Sequence, residues 1–206
     1  MRVLHALAVI AVVVISAAVI TAHVLNAPSS KPLAPANVTS LKPIERVISV
    51  KVVNTTLHYI EVITYSPKDF KYIAQHWGVL RDEVIQSITR TYSSISFLNL
   101  EAYTSPANNS VIIEFDVAGK VWVSDGHYTA DFLWMLEPLG LDFISNHFKE
   151  TTHGLNWEGI LNGVLTKVEV ILPPQQVPYV AWSRLVGHCH GHVWWVVTEA
   201  KAEVSQ

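Results

Sequence analysis

Alternation of apolar and polar positions dominates the middle and end of this chain, and it predicts strands. From residue 46 to 53 and from 56 to 65 the sequence is rich in Val, Ile, Thr and Tyr. Period-two alternation puts Ile48, Val50 and Val52 on one face, with Leu57, Tyr59 and Ile63 able to join them. A hairpin is expected, although its turn, Asn54-Thr55, lacks the glycine of the favoured two-residue turns and suggests a longer loop. The period then changes to a helical one. Ser66, Pro67 and Asp69 form a start signal of N-cap, first-turn proline and first-turn acid. Phe70, Ile73, Trp77, Leu80, Val84 and Ile88 follow as one apolar stripe. Gly78 interrupts the stripe, so the spacing predicts one helix with a weak point or two helices joined there.

Residues 95–103 and 111–124 read as two more strands around a polar turn, the second one long, with Gly119 as a bend or bulge. Residues 129–136 and 139–149 suit short helices separated by Pro138. Residues 154–163 read as loop or one helical turn, 164–172 as a strand ended by Pro173, and 177–182 and 193–198 as two more strands. The fold class expected is α+β: a largely antiparallel β-sheet with one amphipathic helix, or a helix pair, on one face.

The N-terminal pattern is of another kind. Residues 3–25 contain no Asp, Glu, Lys or Arg, and an uninterrupted apolar run of about 20 residues is the length that spans a bilayer. A secretory signal needs an apolar region of only about 7 to 15. Arg2 alone precedes the run, which places the N-terminus inside and the C-terminus outside. The small residues that cleavage requires are badly spaced, since Ile20 lies two residues before Ala22 and Pro28 follows Ala27. The segment is therefore expected to remain as an anchor, and a cleaved signal would leave a secreted domain. Residues 28–43, rich in proline and polar residues, read as an extended linker. The expected organisation is a transmembrane segment at 1–27, a linker at 28–43 and an extracytoplasmic domain at 44–206.

Charge and composition narrow the functional classes. The chain carries 14 Lys and Arg against 17 Asp and Glu, and it has no basic stripe of the kind that phosphate neutralisation requires, so a nucleic-acid partner is not expected. With a single cysteine, no intrachain disulfide can form. Three sequons, at Asn37, Asn54 and Asn108, fall beyond the membrane segment and are candidate glycosylation sites. No nucleotide-binding glycine loop, nucleophile elbow, zinc-protease helix or EF-hand loop occurs. Carboxylate pairs such as Glu61 with Glu114, or Asp131 with Glu137, read as solvated surface pairs.

The one dense set of metal-ligating residue types is His188, Cys189, His190 and His192. Short His- and Cys-rich tracts bind zinc or copper. An extended segment would place the three imidazoles on one face, but with the outer two roughly 13 Å apart, too far for one ion. Neighbouring members could share an ion with help from His127 or His153, or the glycines could let the segment curl. The seven tryptophans serve first as core filling, with ligand stacking and partner contact as further uses. Adjacent Trp194 and Trp195 must point to opposite faces of a strand. The function expected is a membrane-anchored extracytoplasmic binding or assembly module, non-enzymatic, meeting other surface proteins or copies of itself. The alternative is an extracytoplasmic metal-binding protein or metallohydrolase built on the histidine cluster.

Overall fold

A computed structural model describes residues 41–124, 127–151, 154–173 and 181–199. The apolar segment at 3–25, the linker to residue 40, Asn37 and His153 lie outside the described residues. Among the described residues no helix is long and apolar enough to cross a membrane.

The chain is a mixed α+β fold, mostly sheet. Strands β1 (Glu45–Val53) and β2 (Thr56–Thr64) form the expected hairpin, paired from Glu45↔Thr64 to Val53↔Thr56. Its turn has only two residues after all, because Asn54 takes the left-handed conformation at φ 55°, which asparagine tolerates better than most side chains. Ser66 caps helix α1 (Pro67–Thr91) by accepting a hydrogen bond from the Asp69 amide at 3.1 Å. Helix α1 is a single 25-residue element. It passes through Gly78 unbroken, where a side chain would meet open space. Strands β3 (Phe97–Ser105) and β4 (Ser110–Ala118) follow around a 3-10 turn.

Gly119, at φ 73°, ends β4 and starts a departure that the sequence reading did not foresee. The expected long strand at 111–124 is two strands, and β5 (Val121–Ser124) belongs to a second sheet. The expected helix at 129–136 is also divided: β6 (His127–Asp131) precedes a short helix α2 (Leu133–Leu139), which closes on Gly140. No helix occupies 140–148; a turn there leads into β7 (Lys149–Thr151). Residues read as loop form β8 (Gly154–Leu161), paired with β9 (Val164–Ile171). The last hairpin is β10 (Ala181–Cys189) and β11 (His192–Glu199), while residues 177–180 of the expected strand lie outside the described residues.

Two sheets result, in the orders β3-β4-β2-β1-β9-β8-β7 and β10-β11-β6-β5. Every pairing is antiparallel except β1 with β9. One face of the large sheet is the core, with Ile48, Val50, Leu57, Tyr59, Phe115, Val117 and Val168 buried. Ile73, Leu80 and Ile88 of α1 are buried in the same core, Trp77 and Val84 pack partly against it, and Phe70 is buried at the start of the helix. Trp134 of α2 touches the rings of Tyr59, Tyr92 and Phe115, and Val193 and Trp195 add the inward face of the second sheet. The opposite face of the large sheet pairs along itself: His58 with Asp116, Tyr103 with Glu114, Lys167 with Glu45. Val47, Ile60, Val62 and Ile112 lie there half-buried and outside the core.

Candidate functional site

The histidine cluster is the β10–β11 hairpin tip, and its geometry follows from where the chain reverses. His190 sits at φ 50° and Gly191 follows. The reversal pairs Cys189 directly with His192 and His188 with Val193. Strand alternation therefore separates the three imidazoles that an extended chain would have put on one face. His188 turns inward beside the Phe143 ring, its buried Nδ1 3.5 Å from Glu150 Oε1 and short of a hydrogen bond. His190 is exposed, with its Nδ1 2.8 Å from Asp142 Oδ2. His192 faces outward with Nε2 3.9 Å from Asp131 Oδ1.

The tip is fastened as well as folded. The Phe132 amide donates to the Gly191 carbonyl at 2.7 Å and the Phe143 amide to the His190 carbonyl at 2.8 Å. A Cβ at Gly191 would lie 2.4 Å from the Leu133 side chain, so only glycine fits. Asp142 accepts from the Ile144 and Ser145 amides at 2.8 and 2.9 Å. The Ser145 amide, followed by His190 and Ile144, holds the Asp142 carboxyl below its usual range against the opposing effect of burial.

Of the proposed ligand set, then, Cys189 and His192 are neighbours on one face and His188 and His190 turn to other carboxylates. His127 belongs to β6, in the same sheet. Among the described residues no three His, Cys, Asp or Glu side chains stand close enough to hold one metal ion. Comparison with known proteins finds no family, no curated protein and no solved structure that this chain matches. The two described sequons occupy turns, with Asn54 at the β1–β2 reversal and Asn108 in the 3-10 turn, both exposed, as an attached glycan requires.

Two polar groups were missed by reading the sequence. Glu61 is not a solvated partner of Glu114: it is 1% exposed, and its Oε1 lies 2.5 Å from Arg46 Nε. Glu114 lies one place out of step with it, opposite Ile60, on the other face. Tyr59 donates to Glu61 Oε2 at 2.7 Å and meets the Tyr92 hydroxyl at 3.2 Å. Burial opposes the Arg46 charge, but Glu61 beside it raises the guanidinium pKa overall. Burial and the same carboxylate push Tyr65 up to about 12. Strand parity was the available signal, since Glu61 shares the inward face of β2 with Leu57 and Tyr59. Asp131, read as a surface partner of Glu137, instead binds Lys120 Nζ at 2.8 Å and accepts from the Leu133 amide.

The second group is His58, whose Nδ1 lies 2.7 Å from Asp116 Oδ1. Asn99, at φ 55° beside the β3 bulge, donates to Asp116 Oδ2 at 3.0 Å. Burial raises the Asp116 pKa, but the bonds from His58 and Asn99 outweigh it and hold the carboxyl low. The pair lines a shallow cleft of about 280 Å³ with Val53, Asn54 and Thr56.

Proposed function

We propose that this chain is a non-enzymatic binding or assembly module, held outside a membrane by residues 3–25 and meeting copies of itself or other surface proteins. The observation that carries the reading is the face of the seven-stranded sheet opposite the core. Val47, Ile60, Val62 and Ile112 contribute nothing to the core there, and charged side chains surround them. An apolar patch with a polar rim is the composition of a docking surface. The alternative, metal binding by His188, Cys189, His190 and His192 with zinc or copper, draws support from the Cys189–His192 pairing alone.

The test has two arms. Protease added to intact cells digests the C-terminal part and spares at most the first ~30 residues, the stretch that the bilayer and its flanks protect. Cross-linking of the full-length protein in membranes traps a dimer or a second protein, and Val62→Glu with Ile60→Glu reduces that product. Protection of the C-terminus overturns the topology. A full-length protein that cross-links to nothing, or that cross-links equally well with both glutamates in place, overturns the docking face.

A further inference from the structure

The outward face of the four-stranded sheet carries two parallel rows of side chains. Strand register sets the first row, with Trp122 opposite Thr129 and Thr129 opposite Trp194. The second row lies beside it: Asp131 is opposite His192, and the Asp131 amide bonds the Lys120 carbonyl. One row is aromatic and the other polar.

The two indoles are linked through His192, whose ring centroid lies 6.2 Å from that of Trp122, at 73° and so edge-on, and 6.5 Å from that of Trp194, at 27° and so nearly parallel. Trp122 is 42% exposed, although burying an indole removes on the order of 150 to 250 Å² of surface from water. Trp194 is half-buried, while Trp195, its neighbour on the other face, is wholly buried. Thr129 between the two indoles is only 5% exposed, so it supports them from below. Gly187, opposite Trp194 on β10, leaves one flank of that ring uncovered by any side chain of its own.

The polar row is held in place before any ligand arrives. Asp131 accepts from Lys120 Nζ and from the Leu133 amide, at 2.8 and 2.9 Å. An ammonium has three protons, and a carboxylate accepts more than one bond at each oxygen, so donors and acceptors remain for a ligand. Among the described side chains of this face Lys120 and Asp131 neutralise each other, which leaves a rim suited to a neutral partner. A nucleic acid or an anionic lipid surface would want unpaired cations here.

We propose that this face binds a neutral oligosaccharide. A pyranose has an apolar C–H face, which lies flat on an indole, and a rim of hydroxyls that both donate and accept, which suits Lys120, Asp131 and His192. Trp122 and Trp194 stand two strands apart, about 9.5 Å, a span comparable to that between alternate sugars of an extended chain. The site therefore takes three or more sugars. The inference rests on the external placement proposed above, but it uses a different sheet from the docking face.

The experiment uses the full-length protein in a detergent without a sugar headgroup, offered to a panel of neutral oligosaccharides, with binding measured by calorimetry. At least one oligosaccharide of three or more sugars binds, and Trp122→Ala and Trp194→Ala each weaken it by roughly tenfold or more. Thermal unfolding of Trp122→Ala stays close to that of the parent protein, because the ring is exposed. His192→Gln keeps a ring-sized polar group and weakens binding less than either tryptophan change. The proposal is overturned if no neutral oligosaccharide binds at about 1 mM or if Trp122→Ala binds as well as the parent. Cross-linking of the same variants separates the two readings. Tryptophan variants that lose sugar binding and still cross-link support this site independently of the docking face; a parent protein that cross-links but binds no oligosaccharide overturns this site alone, and one that binds oligosaccharide but does not cross-link overturns the docking face alone.

Discussion

Arg46, half-buried, forms an ion pair with the buried Glu61, Nε to Oε1 at 2.5 Å, on the inward face of a sheet lined mostly by aliphatic and aromatic side chains. Tyr59 completes the carboxylate's bonding and passes contact on to Tyr92, the residue that caps the C-terminus of α1. Removing one partner leaves the other's charge uncompensated, so Arg46→Met is expected to destabilise the fold by about 3 to 5 kcal/mol. Replacing both, as in Arg46→Met with Glu61→Leu, is expected to cost less than Arg46→Met alone. Urea unfolding of the three variants checks the order. A double variant less stable than the single one contradicts it.

Gly191 and Leu133 share one space. Gly191→Ala is expected to lower stability by about 1 to 3 kcal/mol, the usual cost of overpacking. The companion change Leu133→Ala removes the atoms 2.4 Å from the new Cβ. The double variant should therefore be more stable than the sum of the two single losses, by a thermal double-mutant cycle. Strict additivity would show that the hairpin tip can move away.

The Asp142 carboxyl titrates below its ordinary value of 3.8 in the folded chain. A depressed carboxylate contributes stability that is present above the unfolded value and lost as pH falls through the folded one. Asp142→Asn keeps an acceptor for the turn amides and removes the ionisation. Its urea midpoint is expected to fall less steeply than that of the parent below pH ~4, and to differ least in steepness near neutrality. Matched urea series at several acidic pH values measure this, and parallel curves would deny Asp142 its part.

Helix α1 begins on Ser66. Ser66→Ala removes the bond to the Asp69 amide and is expected to cost about 1 kcal/mol. Ser66→Asp should restore most of it. Chemical denaturation of the pair is the check, and a fully stable alanine variant would show that the helix start is held by Pro67 and by packing alone.

Local signals were legible where they were self-sufficient. The β1–β2 alternation and the Ser66-Pro67 start needed no tertiary information, and the opposite pointing of Trp194 and Trp195 followed from strand geometry. Strand β8 was hidden because Gly154 and Gly159 look like loop. In the fold both glycines are enforced by neighbours: a Cβ at 154 would lie 1.8 Å from the Val170 carbonyl oxygen, and one at 159 would lie 2.5 Å from the Trp157 ring. The β4–β5 break at Gly119 was misjudged because one continuous alternation can serve two sheets. Of the two geometries open to the histidine cluster, the extended one with three imidazoles on one face does not occur, for a related reason, while the turn brings Cys189 beside His192. Period two holds only until the chain turns, and the turn falls between His190 and His192. Glu61 was misassigned because an acid within a strand reads as solvent-facing unless its partner, 15 residues away, is already known.

The parallel seam between β1 and β9 sets the order in which the molecule can be assembled. Glu45 lies beside Leu165, so one edge of β1 waits for about 120 further residues of synthesis, on the order of 6 to 24 s at ordinary elongation rates. During that interval β1, β2, α1, β3 and β4 can pair among themselves. The β1 edge meanwhile offers unbonded amides and carbonyls to whatever strand arrives first. A second nascent chain emerging close by would be a competitor for that edge, so the spacing of ribosomes on the message becomes a variable in how much correctly paired protein is made.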